Sequence, residues 1–185
     1  MASPVTLYLV RHGRASAGFA EAHDPGLDEA GRLQAETIAQ ELALLGPLPI
    51  ITSPLRRAWE TAMPFETQWG VQARVEQAVA EIPTPTLDLQ ARSAWLHQAL
   101  RGRWSELPIT YQHWREQVAA ALIALGTSTV ITTHFVAINA ALSAAMDDDR
   151  MVCFEPDHCS CTVLEVRDGQ LRLVALGRQR PTQIR

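Results

Sequence analysis

Three short apolar runs, each followed by helix-forming sequence, constrain the fold of this chain more than any other feature. The runs are TLYLV (residues 6–10), PIITS (49–53) and TSTVITTH (127–134). Each is too short for a buried helix, contains β-branched residues and lacks a helical period, which is typical of a buried strand. Strands that alternate with helices favour an α/β fold, in which helices cover both faces of a mostly parallel sheet.

The sequence between the runs predicts the helices and their ends. Residues 27–46 carry apolar side chains at the spacing of an amphipathic helix that ends at Gly46. The stretch SPLRRAWETAM predicts a second helix with Ser53 as its N-cap and Pro54 at its first position, and Pro64 is expected to end or kink it. Further helices are predicted at residues 87–100, 109–125 and 135–146.

Two more sheet segments complete the predicted order. VQARVEQA (residues 71–78) is expected to supply a third strand before the proline-broken loop EIPTPT. CTVLEV and QLRLVAL, joined around Asp168 and Gly169, predict a closing hairpin. With 185 residues, the chain is expected to form one domain, residues 1–185.

Composition narrows the class of protein. No apolar run approaches the ~20 residues of a membrane span, and the N-terminus lacks the pattern of a secretory signal, so a soluble cytoplasmic protein without a membrane partner is predicted. A net charge of -4 argues against nucleic acid as a partner. Cys153, Cys159 and Cys161 form no disulfide framework, and together with His158 they are interpreted as small strand residues and not as a metal site.

Polar side chains follow the predicted strands at their carboxyl ends, where α/β sheets bind ligands. These residues are Arg11 and His12 after the first strand, Ser53, Arg56 and Arg57 after the second, Glu81 after the third and His134 after the fourth. Guanidinium groups match phosphate oxygens and stay charged, and a neutral histidine beside them can attack phosphorus. A carboxyl group placed against a phosphate has a raised pKa, which suits it to protonate a departing oxygen. The sequence therefore predicts a phosphate site.

The sequence also resembles a known family. LVRHGRASAG is similar to the Arg-His-Gly motif of the histidine phosphatase superfamily, the phosphoglycerate-mutase-like proteins. DPGLDEAGRLQAE, SPLRRAWETA, AEIPTPT and TVITTHFVAINA resemble its other elements, so the resemblance extends from Leu7 to about Leu176. It implies a three-layer α/β/α fold with a small helical cap region, inserted here at roughly 83–108.

The resemblance also implies a reaction and a set of site residues. The chain is expected to be a metal-independent phosphatase without a cofactor, which hydrolyses a phosphomonoester or phosphohistidine through a phosphohistidine intermediate on His12. The implied catalytic residues are His12, Glu81 and His134, and the implied substrate-binding residues are Arg11, Arg57 and Gly13. Arg57, and not Arg56, matches the family's phosphate-binding arginine.

Three departures from the family pattern bear on the choice between activities. Ala15 and Gly18 stand where relatives often carry Ser or Thr and Asn, which tilts the prediction toward the phosphatase branches. Phe135 replaces a common glycine after the second histidine and is expected to crowd or shape the pocket. Phosphotransfer of the phosphoglycerate-mutase type and a non-catalytic phosphate-binding regulatory module are the alternatives.

The expected partner is a phosphorylated small molecule, favoured over a phosphoprotein. Substrate choice is assigned to the region around residues 83–108. Two interpretations of that region stay open: its tryptophans pack a core of its own, or Arg101 or Arg103 meets a second anionic group of the substrate.

Overall fold

The computed structural model describes residues 4–180 and contains a six-stranded sheet flanked by helices. The strands are β1 (Val5–Arg11), β2 (Ile50–Thr52), β3 (Arg74–Val75), β4 (Thr129–Thr133), β5 (Cys161–Arg167) and β6 (Gln170–Ala175). The α-helices are α1 (Glu29–Glu41), α2 (Arg56–Trp69), α3 (Leu89–Ala99), α4 (Ile109–Ile123) and α5 (Phe135–Met146). None of the helices in residues 4–180 has the length and apolar character needed to cross a bilayer.

The strand order confirms the predicted α/β class. The order is β3-β2-β4-β1-β5-β6, in which β3, β2, β4 and β1 run parallel, β5 is antiparallel to β1, and β6 is antiparallel to β5. Arg11 pairs with Thr133, and Thr52 pairs with Thr132, so β1, β2 and β4 end at one edge of the sheet. The residues that follow these strands are therefore neighbours.

Alternate strand residues bury into two hydrophobic clusters, one on each face of the sheet. On one face Val10 and Val130 pack with residues of α1 and α2, including Ile38 and Phe65. On the other face, residues of α3, α4 and α5 pack with Leu9 and Ile131, members of the same cluster as Trp104. Trp104 is fully buried in this main cluster, so the tryptophans of residues 83–108 do not pack a separate core.

Helix α2 differs from its prediction at both ends. It begins at Arg56 with Leu55 as its N-cap, because the hydroxyl group of Ser53 accepts a hydrogen bond from the Leu55 N–H at 3.2 Å and contacts His134. Pro64 neither ends nor visibly shortens the helix, which continues to Trp69. Beyond the proline, Phe65 is fully buried and Trp69 packs against the same hydrophobic cluster, with their rings tilted at 5.3 Å between centroids, so tertiary packing holds the last turns.

Two smaller predictions also need correction. Of VQARVEQA only Arg74 and Val75 pair with β2, and a turn of 3₁₀-helix over Gln77–Val79 follows, because the chain leaves the sheet edge there. Of the cysteines only Cys161 lies in a strand, while Cys153 and Cys159 belong to the connection between α5 and β5.

Helix α1 supports the loop that follows β1 through two glycines. A Cβ atom on Gly31 would overlap the carbonyl oxygen of Arg14, and one on Gly13 would lie 2.5 Å from the carbonyl oxygen of Gly31. The two backbones can approach this closely only because neither residue has a side chain. Asp28 caps α1 by accepting from the Gly31 N–H at 2.7 Å, and its own N–H donates to the Arg14 carbonyl at 3.1 Å.

Gly31→Ala is expected to lower the free energy of unfolding by about 1–3 kcal/mol, because the added methyl group must displace the backbone at Arg14. Urea denaturation measures this change. Gly126→Ala is the matched control, since no heavy atom of residues 4–180 lies within 4 Å of a Cβ built there and its φ is not positive. Equal effects of the two substitutions would contradict the proposed close contact.

Candidate active site

The carboxyl ends of β1, β2 and β4 are aligned, which brings the predicted polar residues to one side of a large cavity. The cavity has a volume of about 870 Å³, and its lining includes Arg11, His12, Arg57 and Glu81. His134, the first residue after β4, is fully buried behind this wall, with its ring centroid 5.2 Å from that of His12. Residues that are far apart in the sequence therefore form one cluster.

The hydrogen bonds of His12 fix its protonation state. Its Nδ1 lies 2.8 Å from the carbonyl oxygen of Gly13, to which it donates, and Arg57 Nε donates to its Nε2 at 3.2 Å. Because a guanidinium group has donors only, Nε2 must accept and therefore carries a lone pair. The backbone N–H of His12 donates to the carbonyl oxygen of Thr133 at 2.9 Å, which ties the residue to β4. His12 is thus a neutral imidazole with an unprotonated Nε2.

The electrostatic surroundings keep His12 neutral. Burial, and after it the positive charge of Arg57, lower the pKa of His12 well below its usual 6.5. Burial and the same arginine also lower the pKa of His134. Two neutral imidazoles beside two cations leave the cluster short of negative charge, which an anion would supply.

The two arginines of the cluster are almost entirely buried, with 7% of Arg11 and 6% of Arg57 exposed. Arg11 donates to the carbonyl oxygen of Pro156 at 2.7 Å and lies 5.3 Å from the centroid of the Phe135 ring. Arg57 is 3.9 Å from the carboxylate of Asp24, a loose ion pair. Burial lowers the pKa of Arg11 to about 10, so this guanidinium stays charged at neutral pH, and burial also lowers the pKa of Arg57 from its usual 12.5. Buried guanidinium groups of this kind suit a phosphate or another oxyanion.

His134 has one ring nitrogen in use and one available. Its Nε2 lies 2.7 Å from the hydroxyl oxygen of Ser53, and that oxygen already accepts from the Leu55 N–H. Nε2 is the one acceptor among the hydrogen-bond partners of this hydroxyl group in residues 4–180, so Ser53 donates its proton to Nε2, and the proton of the neutral ring is on Nδ1. Nδ1 is buried and has no hydrogen-bond partner among residues 4–180. A buried N–H without a partner is costly, and a ligand oxygen would satisfy it.

The side chain of Glu81 contacts the N-terminus of α5. Its Oε1 accepts from the backbone N–H groups of Ile82 at 3.0 Å and Val136 at 3.2 Å. Burial raises the pKa of Glu81 above its usual 4.5, although these hydrogen bonds and the charges of Arg57 and Arg11 lower it. A cavity carboxyl group with a raised pKa is suited to hold a proton and to release it to a departing oxygen.

Two predicted residues have other contacts than the sequence suggests. Arg56 is exposed and its Nε donates to Glu60 at 2.6 Å, so it faces away from the cluster. The N–H of Gly13 donates to the hydroxyl oxygen of Thr61 at 3.0 Å, and its carbonyl group accepts from His12. Gly13 therefore orients His12 and has no N–H left for a ligand.

The cavity also includes residues that the sequence reasoning did not select. Arg14, Phe19, His23, His158 and Arg180 line it, whereas Arg101 and Arg103 do not. The ring of His158 lies 6.0 Å from that of His12, and burial lowers the pKa of His158 to about 4. Arg14 follows the Arg-His-Gly motif directly, which was a usable signal. The sequence around His158 and Arg180 gave no such signal, because a tertiary contact, the bridge between Pro156 and Gln179, brings these two residues together at the cavity.

Comparison with known proteins gives a family and a set of similar folds. The family model of the histidine phosphatase superfamily, branch 1, matches residues 7–179. A curated relative, the glucosyl-3-phosphoglycerate phosphatase of Mycobacterium tuberculosis, is 34% identical over 79 residues, or 40% of this chain. That match covers 35% of the relative, so the chain spans about a third of the length of this curated protein.

Solved structures resemble the whole fold. The phosphoserine phosphatase of Entamoeba histolytica, in complex with 3-phosphoglyceric acid, superposes with a TM-score of 0.74 at 19% identity and covers 95% of this chain and 98% of that one. The mycobacterial glucosyl-3-phosphoglycerate phosphatase gives a TM-score of 0.69 at 23% identity, with 92% and 97% covered. At these identities the likeness establishes the fold.

Arg57→Met is expected to raise the pKa of His12 toward 6.5, because the substitution removes both a nearby positive charge and the donor to Nε2. Titration of the imidazole nitrogens by ¹⁵N NMR measures this pKa. Arg56→Met is the matched control, since the exposed guanidinium of Arg56 pairs with Glu60 and does not contact His12. An unchanged pKa of His12 in the Arg57 variant would contradict the electrostatic coupling of the two residues.

Proposed function

This chain belongs to branch 1 of the histidine phosphatase superfamily, and from that premise we propose that it is a metal-independent phosphohydrolase acting through a phosphohistidine on His12. The observation that carries the proposal is the state of His12: a neutral imidazole whose Nε2 lone pair faces the guanidinium of Arg57. A neutral histidine beside buried arginines has both the nucleophile and the charges that phosphoryl transfer requires.

In the first step Nε2 of His12 attacks the phosphorus atom, and the bond from phosphorus to the ester oxygen breaks. Arg11 and Arg57 bind the non-bridging oxygens and stabilise their charge, and Nδ1–H of His134 donates to one of them. Glu81 gives its proton to the departing alkoxide oxygen, so that a neutral alcohol leaves. The products are the alcohol, the Glu81 carboxylate and a phosphohistidine.

In the second step water attacks the same phosphorus atom and the phosphorus–nitrogen bond breaks. The Glu81 carboxylate takes a proton from the water as it attacks, which restores the carboxylic acid. The Nε2 lone pair of His12 returns, and inorganic phosphate leaves. Gly13 acts in both steps by holding Nδ1–H, which keeps the reactive lone pair on Nε2.

The proposed substrate is a small phosphomonoester. Two enzymes with similar structures are a glucosyl-3-phosphoglycerate phosphatase and a phosphoserine phosphatase, and a cavity of about 870 Å³ can accommodate a small metabolite. A phosphoprotein stays the less favoured substrate, and the cytoplasmic location stays a prediction. Release of free phosphate from 3-phosphoglycerate, without the isomeric ester, separates hydrolysis from mutase-type transfer.

His12→Ala is expected to lower kcat for p-nitrophenyl phosphate at least about 10³-fold, because the nucleophile is lost. Release of p-nitrophenol measures the rate. His113→Ala serves as control, since His113 is an exposed residue of α4, and its rate should equal that of the unchanged protein. Retention of activity by the His12 variant would rule out the proposed mechanism.

Glu81→Gln is expected to lower kcat/KM for glycerol 3-phosphate about 10²- to 10⁴-fold, because an alkoxide is a poor leaving group without a proton donor. The loss for p-nitrophenyl phosphate should be much smaller, since p-nitrophenolate leaves without protonation. In the unchanged protein, kcat/KM for glycerol 3-phosphate should fall as pH rises through the raised pKa of Glu81, because the acid form is then lost. Equal losses for both esters would contradict the role of Glu81 as the proton donor.

A further inference from the structure

Arg92 of α3 is a buried cation that has no acidic partner within residues 4–180. Only 9% of its surface is exposed, and burial lowers its pKa. None of the ion pairs among residues 4–180 includes it, and its Nε has no hydrogen-bond partner there. Burial of a guanidinium without an acidic partner costs free energy, so the contacts of Arg92 point to a function.

The cation–π contact and the side-chain hydrogen bond of Arg92 are both with residues 15–27, a segment called the mouth loop below. The guanidinium carbon lies 3.9 Å from the ring centroid of Phe19, and its NH1 is 2.9 Å from Nδ1 of His23. Phe19 and His23 line the cavity, while Arg92 lies behind them. Gln90, also on α3, reaches the carbonyl oxygen of Ala20 at 3.4 Å. Helix α3 therefore holds the mouth loop mainly through Arg92.

The contact with Arg92 fixes the tautomer of His23. A guanidinium group only donates, so Nδ1 of His23 accepts the hydrogen bond. The imidazole is then neutral and carries its proton on Nε2. His23 is exposed at the cavity mouth, so this Nε2–H is available to a bound molecule. Arg92 thus turns a histidine that could accept or donate into one that donates.

The mouth loop is also fixed relative to the phosphate site. Asp24, next to His23, accepts from the backbone N–H of Arg56 at 2.8 Å and lies 3.9 Å from Arg57. A bridge between Ala15 and Leu27 closes the base of the loop. The donor on His23 is therefore held at a defined place relative to the guanidinium of Arg57.

Apolar side chains line the cavity together with this donor. Phe19 of the mouth loop and Leu96 and Leu100 of the α3 region line the cavity together with Phe135. A leaving group in this space meets hydrophobic side chains and, at His23, a neutral N–H. A neutral donor in such surroundings discriminates between a ligand with an oxygen at that place and one without it, because an unmatched polar group loses its hydrogen bond.

We propose that Arg92 and His23 form a specificity element that selects phosphomonoesters whose leaving group carries a hydrogen-bond-accepting oxygen, such as a hydroxyl group. His23 donates through Nε2–H to that oxygen, and Arg92 is the positioning residue that fixes its tautomer and its place. The inference rests on the proposed phosphohydrolase activity. It assigns substrate choice to the α3 region through Arg92, and not through Arg101 or Arg103.

Two probes of equal chain length test the element: glycerol 3-phosphate, which has two hydroxyl groups, and propyl phosphate, which has none. The unchanged protein is expected to favour glycerol 3-phosphate in kcat/KM by at least about tenfold. His23→Phe and Arg92→Met should bring this ratio close to one, mainly by lowering kcat/KM for glycerol 3-phosphate.

Conservative variants and a control sharpen the measurement. His23→Gln keeps an acceptor for Arg92 and an amide donor, and Arg92→Lys keeps a donor to Nδ1, so both should retain most of the preference. Arg101→Ala removes an exposed arginine outside the cavity lining and should leave the ratio unchanged. If the Arg92→Met variant does not fold, His23→Phe still tests the proposal, because His23 is exposed.

A ratio near one in the unchanged protein would overturn the inference. So would an unchanged ratio in His23→Phe, or equal losses for both probes in the Arg92 variants, which would indicate a structural role alone. Failure of the unchanged protein to hydrolyse any probe, p-nitrophenyl phosphate included, would instead contradict the proposed function. The two failures are therefore distinguishable.

Discussion

The hydrogen bond from Arg57 Nε to His12 Nε2 is the interaction on which the rest of the site depends. It requires a neutral imidazole, and a neutral imidazole is what a nucleophile for phosphorus must be. The bond exists because Gly13 accepts the Nδ1 proton, which leaves the Nε2 lone pair to accept from Arg57. The nearest acidic partner of Arg57, Asp24, is held 3.9 Å away by the backbone of α2. The positive charge of Arg57 is thus left for an anion.

The scaffold makes this arrangement possible by bringing backbones unusually close. The contact of Gly13 with Gly31 sets the path of the loop after β1, and Thr61 of α2 holds the Gly13 N–H at 3.0 Å. The matched ends of β1 and β4 place His12 and His134 side by side, since Arg11 pairs with Thr133. Helices α1 and α2, which cover one face of the sheet, therefore converge on a short segment of chain, and this explains how His12 is held in place.

The sequence predicted those parts of the molecule that local patterns determine. Short apolar runs identified the parallel strands, and the residues after them, His12, Arg57, Glu81 and His134, do meet beside one cavity. Local patterns failed where tertiary contacts override them. Pro64 lies inside α2 because Phe65 and Trp69 pack beyond it. The hydroxyl group of Ser53 forms a hydrogen bond with His134, and Leu55 is the N-cap of the helix. Arg92 escaped notice because its partners, Phe19 and His23, lie some seventy positions earlier in the chain.

Transient phosphorylation of His12 is the central claim, and rapid-quench trapping with a ³²P-labelled phosphomonoester tests it most directly. The expected result is a phosphoenzyme that is labile in acid and stable in base, whose label maps to the peptide containing His12 and is absent from the His12→Ala variant. A protein that releases phosphate without any labelled intermediate, or that carries the label on another residue, would contradict the assignment of His12 as the nucleophile.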